Sequence, residues 1–424
     1  MKNPMRFRFL RLISFATCGL LFMQAYNSTF SSQMVLINRS LDSTKIFANM
    51  DAPKRQAFGA CLMVKDDNDL LYEWLAYHYT VLPLGYVVVG ADIGSSQDPD
   101  EVLQRWKTEP TGLRSWVLHS EDFIHRHGNY YEHFGGNRTE FPTEDEQRKY
   151  HHHALIYRQK GFITACAERL QAEGVGWTLF IDSDEFLAMN PMTEDDKDLQ
   201  ADGEGQSLLS NHSREIRTRI RDEYVGKRTV ADLIRDTNLT SDMGSCYTIP
   251  RLLFGALENA TCNDESIAAM HGEARAFLKH HYDKFSTLRF FQHAKKGDFA
   301  TSKFGKVMMD LSRVPRDILK SRVPSNIHRP FRDLCGPAGA APFPNAFFFV
   351  AHYIGGWDRY ASRRGDHRRT YGEWYVRSAL VTNMSSSMAC ASIIPWFVQF
   401  ARSLGDDTAQ FLLGGSSDQV ARLR

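Results

Sequence analysis

The chain has 424 residues, 51 of them Lys or Arg and 50 Asp or Glu, for a formal net charge of +1. A hydrophobic share of 43% with 24% charged residues is ordinary for a folded protein and excludes disorder of the whole chain. The even charge also excludes a polyanion binder, because nucleic-acid proteins carry a basic excess.

The total hides an asymmetry. Residues 1–11 carry Lys2, Arg6, Arg8 and Arg11 and no acid, and no charged residue follows before Arg39. The apolar part, Leu12 to Tyr26, behind that basic flank reads as a secretory targeting signal. It is shorter than the about 20 residues that a bilayer span needs, so a cleaved signal peptide and a short signal-anchor both fit. No small-residue cleavage site follows it, which favours the anchor. The positive-inside rule then makes 1–11 a cytosolic tail, 12–26 the anchor helix and all that follows luminal. Residues 27–55, rich in Ser, Asn and Thr, read as a stem. N-x-[ST] sequons at Asn27, Asn38, Asn137, Asn211, Asn238, Asn259 and Asn383 exceed the about two expected by chance. They fit an exposed luminal protein.

From Ala57 the texture changes. AFGACLMV (57–64) is a continuous apolar run of strand length. NDLLYEWLAYHYTVL (68–82) has helical apolar spacing. YVVVGA after Gly85 predicts a second strand, DPDEVLQRW (98–106) a short helix, and SWVLH (115–119) a third strand. A long helix is predicted over 144–173 and a fourth strand at GWTLFI (176–181). Strands alternating with helices predict an α/β domain, 56–400, with a mostly parallel central sheet flanked by helices. Residues 190–212, with an acidic stretch at 194–204, are predicted to be a disordered insertion. Helical texture resumes at 214–235. YTIPRLLFG (247–255) and FFFVAHYI (347–354) are further apolar runs, and 401–424 reads as a C-terminal extension.

Cys18 lies in the apolar segment, and no CxxC spacing is present. Cys246 and Cys262 flank a short segment and are the predicted bridge. Cys61 and Cys166 sit in apolar runs and read as small core residues.

The sharpest chemical feature is Asp182-Ser183-Asp184-Glu185, directly after WTLFI. Ligands of open α/β sheets bind outside the carboxyl ends of the strands. Two carboxylates at i and i+2 in such a loop can converge on Mg²⁺ or Mn²⁺, and the cation can bridge to a diphosphate. D-x-D by itself is also an ordinary turn or cap pattern. Lys65-Asp66-Asp67-Asn68 ends the first strand, and Asp92-Ile93-Gly94-Ser95-Ser96 follows the second. Both offer polar residues to a nucleotide, while Asp67 or Asn68 also suits a helix N-cap. His352 ends a later strand and is a candidate metal ligand beside the ordinary reading of a structural histidine. Arg363, Arg364, Arg368 and Arg369 form a basic patch suited to a diphosphate. The run His151-His152-His153 reads as a solvated helix face, because successive helical residues point about 100° apart.

CLMVKDDNDLLYEWLAYHY resembles the opening motif of glycosyltransferase family 92 and its family 2-like relatives. Cys61, Lys65, Glu73, Trp74, His78 and Gly85 fit that pattern; Asp67 stands where the family has Glu. Trp177, Asp182, Asp184, Glu185, Phe186 and Leu187 match its W-x-x-x-x-D-x-D-E-F-L motif. HYIGGWDRYASRRGDHRR is similar to its late H-Y segment. These matches span residues 58–369. The resemblance implies a GT-A fold, Rossmann-like, in a Golgi type II membrane protein that transfers a sugar from a nucleotide-sugar donor to a glycan, typically with inversion, galactose being one sugar so moved. It implies Asp182 as a donor or metal contact, Asp184 and His352 as metal ligands, Asp92 as a nucleobase contact (commonly uracil), and Mn²⁺ or Mg²⁺ as cofactor. Lys65, Asp67 and Arg364 complete the expected donor site. An inverting transfer needs a carboxylate base. Glu258, Asp264 and Glu265 are the acids available after LLFG, with Glu265 put first although no spacing rule chooses among them. The acidic insertion and Asp67 depart from the family and leave the donor open. A catalytically silent luminal glycan-binding protein is the alternative; a metal-dependent hydrolase lacks the ligand clusters it would need.

Overall fold

The first strand, β1 (Phe58–Val64), is buried on both faces, as its unbroken apolar run requires. It pairs in parallel with β2 (Leu84–Ala91) and β4 (Trp177–Phe180), and β2 pairs in parallel with β3 (Arg114–His119). A computed structural model describes residues 57–108, 110–134, 141–193, 209–239, 243–257, 285–294, 305–331, 334–335, 343–362, 370–379 and 392–415, with 196, 269 and 272. The expected tail, anchor and stem, residues 1–55, lie outside the described residues, and no helix among the described ones is long and apolar enough to cross a membrane.

Helix α1 (Asn68–Val81) follows β1, and α2 (Glu144–Ala172) leads into β4. The Thr143 hydroxyl accepts from the Glu146 backbone N–H and caps α2, whose first turn holds Glu144, Asp145 and Glu146. Its first turns are largely exposed, His151 to His153 included, while Gly161 to Ala167 are buried against the sheet. Two glycines permit close approach to this helix, one by the turn after β3 and one by β2. A Cβ on Gly161 would lie 2.0 Å from the Phe123 carbonyl oxygen, and one on Gly90 would lie 2.5 Å from the Phe162 ring.

The central sheet has the order β3-β2-β1-β4-β8-β6, where β6 is Cys246–Ile249 and β8 is Lys306–Asp310. Strand β8 runs antiparallel to both neighbours, so the sheet is mostly but not wholly parallel. A second sheet, β5-β9-β7, joins Glu185–Met189, Phe348–Tyr353 and Arg251–Phe254. The apolar run 247–255 is therefore two strands in two sheets. Pro250 divides them: it has no N–H to continue a ladder, and its carbonyl accepts from Val350. The architecture is mixed α/β, compatible with a Rossmann-like fold.

Three boundaries differ from expectation. The ends of 190–212 are folded, because Asp196 makes a fully buried ion pair with Arg217 at 2.6 Å and Asn190 donates to the Phe343 and Ala346 carbonyls. Arg217 lies on α3 (Asn211–Arg219), which Ser210 caps. The helical texture beyond it continues through a single π turn, Ile220–Tyr224, to α4 (Val230–Thr237). The supposed C-terminal extension belongs to the domain as far as Gly415. Helices α5 (Pro395–Leu404) and α6 (Asp406–Leu412) bury Phe400, Ala409 and Leu412 in the main core, and Arg105 donates to the Phe411 and Gly415 carbonyls. Cys246 bonds to Cys335 rather than Cys262, and Cys61 bonds to Cys166 rather than sitting as a free core thiol. Spacing along the chain carries no information on such pairs, since α2 meets β1 only after folding back onto the sheet.

The Cys61–Cys166 bridge closes a sequence separation of 105 residues. Replacing both by Ala is expected to lower the unfolding free energy by about 2–4 kcal/mol. Urea denaturation of C61A/C166A beside the wild type measures it, and equal stability would contradict the expectation.

Candidate active site

Helix α1 is apolar on nearly all sides because it lies between the sheets and α5. Three of its polar side chains, Glu73, Tyr77 and His78, are consequently buried, and each of these has a specific partner. The Tyr77 hydroxyl donates to the Leu187 carbonyl at 2.9 Å. Leu187 N–H donates to His78 Nε2 at 3.2 Å, and His78 Nδ1 lies 2.8 Å from the Trp74 carbonyl. Those partners require the tautomer protonated at Nδ1. Burial pushes the His78 imidazole down to about 3. Leu187 is the middle residue of β5, an edge strand, so the helix satisfies the peptide groups that the ladder leaves open. Glu73, one turn earlier, accepts from the N–H groups of Ser286 and Thr287 and from the Thr287 hydroxyl, at 2.6 to 2.9 Å. Desolvation raises its carboxyl above the usual range against these hydrogen bonds. Glu73, Trp74 and His78 of the opening motif thus hold structure and face no cleft.

This clamp fixes the register of the acidic loop. Asp182, Ser183 and Asp184 link β4 of the first sheet to β5 of the second. Glu185 N–H donates to the Asp182 carbonyl at 3.2 Å, closing a tight turn. Glu185 pairs with His352 across the β5–β9 ladder, and Tyr353 N–H donates to the Asp184 carbonyl. As a result Asp184 Oδ2 faces His352 Nε2 at 3.8 Å, with side chains 15% and 16% exposed. Packing around His352 pushes its imidazole down to about 3 against the pull of Asp184, so the ring is neutral.

The Glu185 carboxylate is wholly buried between two cations, Lys306 at 3.0 Å and Arg251 at 3.2 Å. It also accepts the Asp182 N–H at 3.0 Å. Lys306 reaches further, to Asp182 Oδ2 at 2.6 Å. His328 stands beside this group with Nδ1 on the Gly305 carbonyl, and burial together with Lys306 and Arg251 pushes its imidazole down. Sequence reading missed Lys306 and Arg251. The available signal was a lone cation in each short apolar run, KVMMD and RLLF.

The neighbouring strand ends complete the rim. Asp67 occupies the N-cap position of α1 but makes no side-chain cap; its Oδ2 accepts from the Ser183 hydroxyl at 2.7 Å. Asp66 adopts a left-handed φ of 54° and clamps the loop after β2, accepting from Ser96 N–H at 2.6 Å and Gln97 N–H at 3.1 Å. Burial works to raise its carboxyl, but the hydrogen bonds from Ser96, Gln97 and Ser95 outweigh it and hold it below the ordinary value. Lys65 lies by the same loop, its Nζ 3.8 Å from where a Cβ on Gly94 would stand.

The structure thus brings Asp67, Asp182, Asp184 and His352 to one edge, with Lys65 close by. Asp92 is differently engaged: Arg158 of α2 grips both its oxygens, at 2.5 and 2.9 Å, with the pair almost buried. Its carboxylate is already satisfied by a guanidinium, where a nucleobase contact was expected. Arg364 and Glu265, with Glu258 and Asp264, lie outside the described residues. Among the described residues no three His, Cys, Asp or Glu side chains form a metal-binding group. Asp184 and His352 are the pair able to begin one, and a carboxylate oxygen with a neutral imidazole suits Mn²⁺ better than Mg²⁺, which takes oxygen ligands. A hollow of about 310 Å³ lined by Gln171, Val175 and Leu311 lies at the amino end of β4, opposite the acidic loop.

Comparison with protein-family models, curated proteins and solved structures finds no match to this chain.

His78 makes stability depend on pH. The unfolded imidazole takes a proton below 6.5, whereas the folded one resists it down to about 3. Its contribution is therefore present above 6.5 and lost as pH falls, by about 1.4 kcal/mol per pH unit. His78→Gln is expected to flatten the pH dependence of urea-unfolding free energy by about one proton over this window. An unchanged slope would contradict it.

Proposed function

We propose that the chain is a GT-A glycosyltransferase that moves a sugar from a nucleotide-sugar donor, a UDP-sugar, to a glycan acceptor with inversion at the transferred carbon. The observation that carries the reading is the acidic loop: Asp182 and Asp184 stand at the carboxyl end of a parallel strand, and a second sheet sets Asp184 opposite His352 at 3.8 Å. The motif resemblance across 58–369 supports the same assignment.

In this reading Asp184 and His352 hold Mn²⁺, which when bound supplies a Lewis acid for the departing diphosphate. Asp182 accepts a hydrogen bond from the donor. Asp67, hydrogen-bonded to Ser183, ties the first strand end to the acidic loop and keeps both carboxylates in place. A carboxylate from Glu258, Asp264 or Glu265 takes the proton of the acceptor hydroxyl as the new bond forms. Two disulfides suit an oxidising lumen. Asn211 and Asn238, the sequon residues among those described, are both exposed. With the N-terminal signal they support a Golgi type II membrane protein.

Asp184→Ala is expected to lower transfer by on the order of 100-fold or more while leaving the melting temperature near that of the wild type. A panel of nucleotide sugars, assayed for donor consumption with and without Mn²⁺, provides the measurement. Full activity in the variant with metal chelated sinks the proposal. Nucleotide binding without turnover of any donor favours the silent glycan-binding protein.

A further inference from the structure

Lys306 opens β8 with its side chain wholly buried, although it belongs to none of the motifs. From its two carboxylate contacts we infer that Lys306 is a positioning residue for the donor site, acting through Asp182. This rests on the glycosyltransferase reading.

Charge pairing is the first ground. Burying an ammonium is unfavourable unless it is paired. Glu185, also wholly buried, already has Arg251 at 3.2 Å as a countercharge. Lys306 is the second cation on that carboxylate, so its charge is balanced by Asp182. Asp182 is 37% exposed, and water alone would solvate a carboxylate there. A buried lysine joined to a half-exposed carboxylate is a poor device for stability. It is a good device for orientation.

Geometry is the second ground. Glu185 Oε2 accepts the Asp182 N–H at 3.0 Å and contacts Lys306 Nζ at 3.0 Å. Lys306 then donates to Asp182 Oδ2 at 2.6 Å. The backbone and the side chain of Asp182 are thus held by one Glu185–Lys306 unit. Oδ2 is occupied; Oδ1 has no partner among the described residues and remains to accept from a donor hydroxyl. The ammonium also disfavours a divalent cation at Asp182, because like charges at this range repel. Metal binding is thereby left to Asp184 and His352, and the two carboxylates of the D-x-D are given separate tasks by a residue more than a hundred positions away.

The test is calorimetric titration of the full chain with UDP, GDP and CDP in MnCl₂, for the wild type, K306M, D182N and K306M/D182N. Loss of a charged hydrogen bond predicts about tenfold weaker nucleotide binding in K306M. Because Lys306 acts through Asp182, the double variant should bind no more weakly than D182N alone. Mn²⁺ by itself, followed by electron paramagnetic resonance, should bind K306M at least as tightly as the wild type. A merely structural lysine would instead lower stability in every background and weaken binding additively. Unchanged nucleotide affinity in K306M, additive losses in the double variant, or weaker Mn²⁺ binding in K306M would each overturn the assignment. If K306M does not fold, the charge-balanced double variant carries the test, since it keeps the Glu185–Arg251 pair. That double must fold and match D182N, and failure of either condition counts against the proposal. A wild-type chain that binds none of the three nucleotides overturns the glycosyltransferase reading, and this assignment with it.

Discussion

The open edge of β5 is the constraint on which the site depends. An edge strand buried inside a protein leaves peptide groups that must be satisfied. Among the described residues no further strand pairs with this edge; two neighbouring side chains of α1 satisfy it, Tyr77 at the Leu187 carbonyl and His78 at its N–H. The pair works only in one register. A shift of one residue would turn the Leu187 peptide groups toward β9 and away from Tyr77 and His78. The acidic loop immediately precedes β5, so its carboxylates inherit that register.

A second level of control is electrostatic. Glu185, Lys306 and Arg251 are buried together, where the carboxylate needs a countercharge and each cation needs a carboxylate. Such a group specifies an arrangement more than it stabilises one. It joins β5, β7 and β8, and therefore both sheets, at the point where Asp182 leaves the core. The same logic recurs at Arg217 and Asp196, where a buried pair anchors the start of an otherwise acidic segment. In both places a charge that reads from the sequence as a surface feature is a structural tie.

Several motif residues prove to be structural. Glu73 binds the 286–287 turn, His78 binds the backbone of the second sheet, and Trp74 is fully buried in the core between them. The acids with chemical potential are those past the strand ends, where the backbone has no ladder to satisfy and the side chains reach solvent. Asp92 is the exception, drawn inward by Arg158 from a helix 66 residues away.

The sequence by itself determined the local elements. Unbroken apolar runs specified β1, β2 and β4, apolar spacing specified α1 and α2, and the position of Asp182 and Asp184 after a buried strand pointed to the candidate site. Those features are legible because they rest on periodicity and burial, which neighbouring residues share. Tertiary structure alone decided the rest. Pro250 sends one apolar run into two sheets, Cys61 finds Cys166 where α2 packs on the sheet, and α5 and α6 return to the core. Lys306 meets Asp182 because β8 pairs antiparallel with β4. Each of these depends on contacts between distant segments, and a pattern read along one chain does not contain the distance between them.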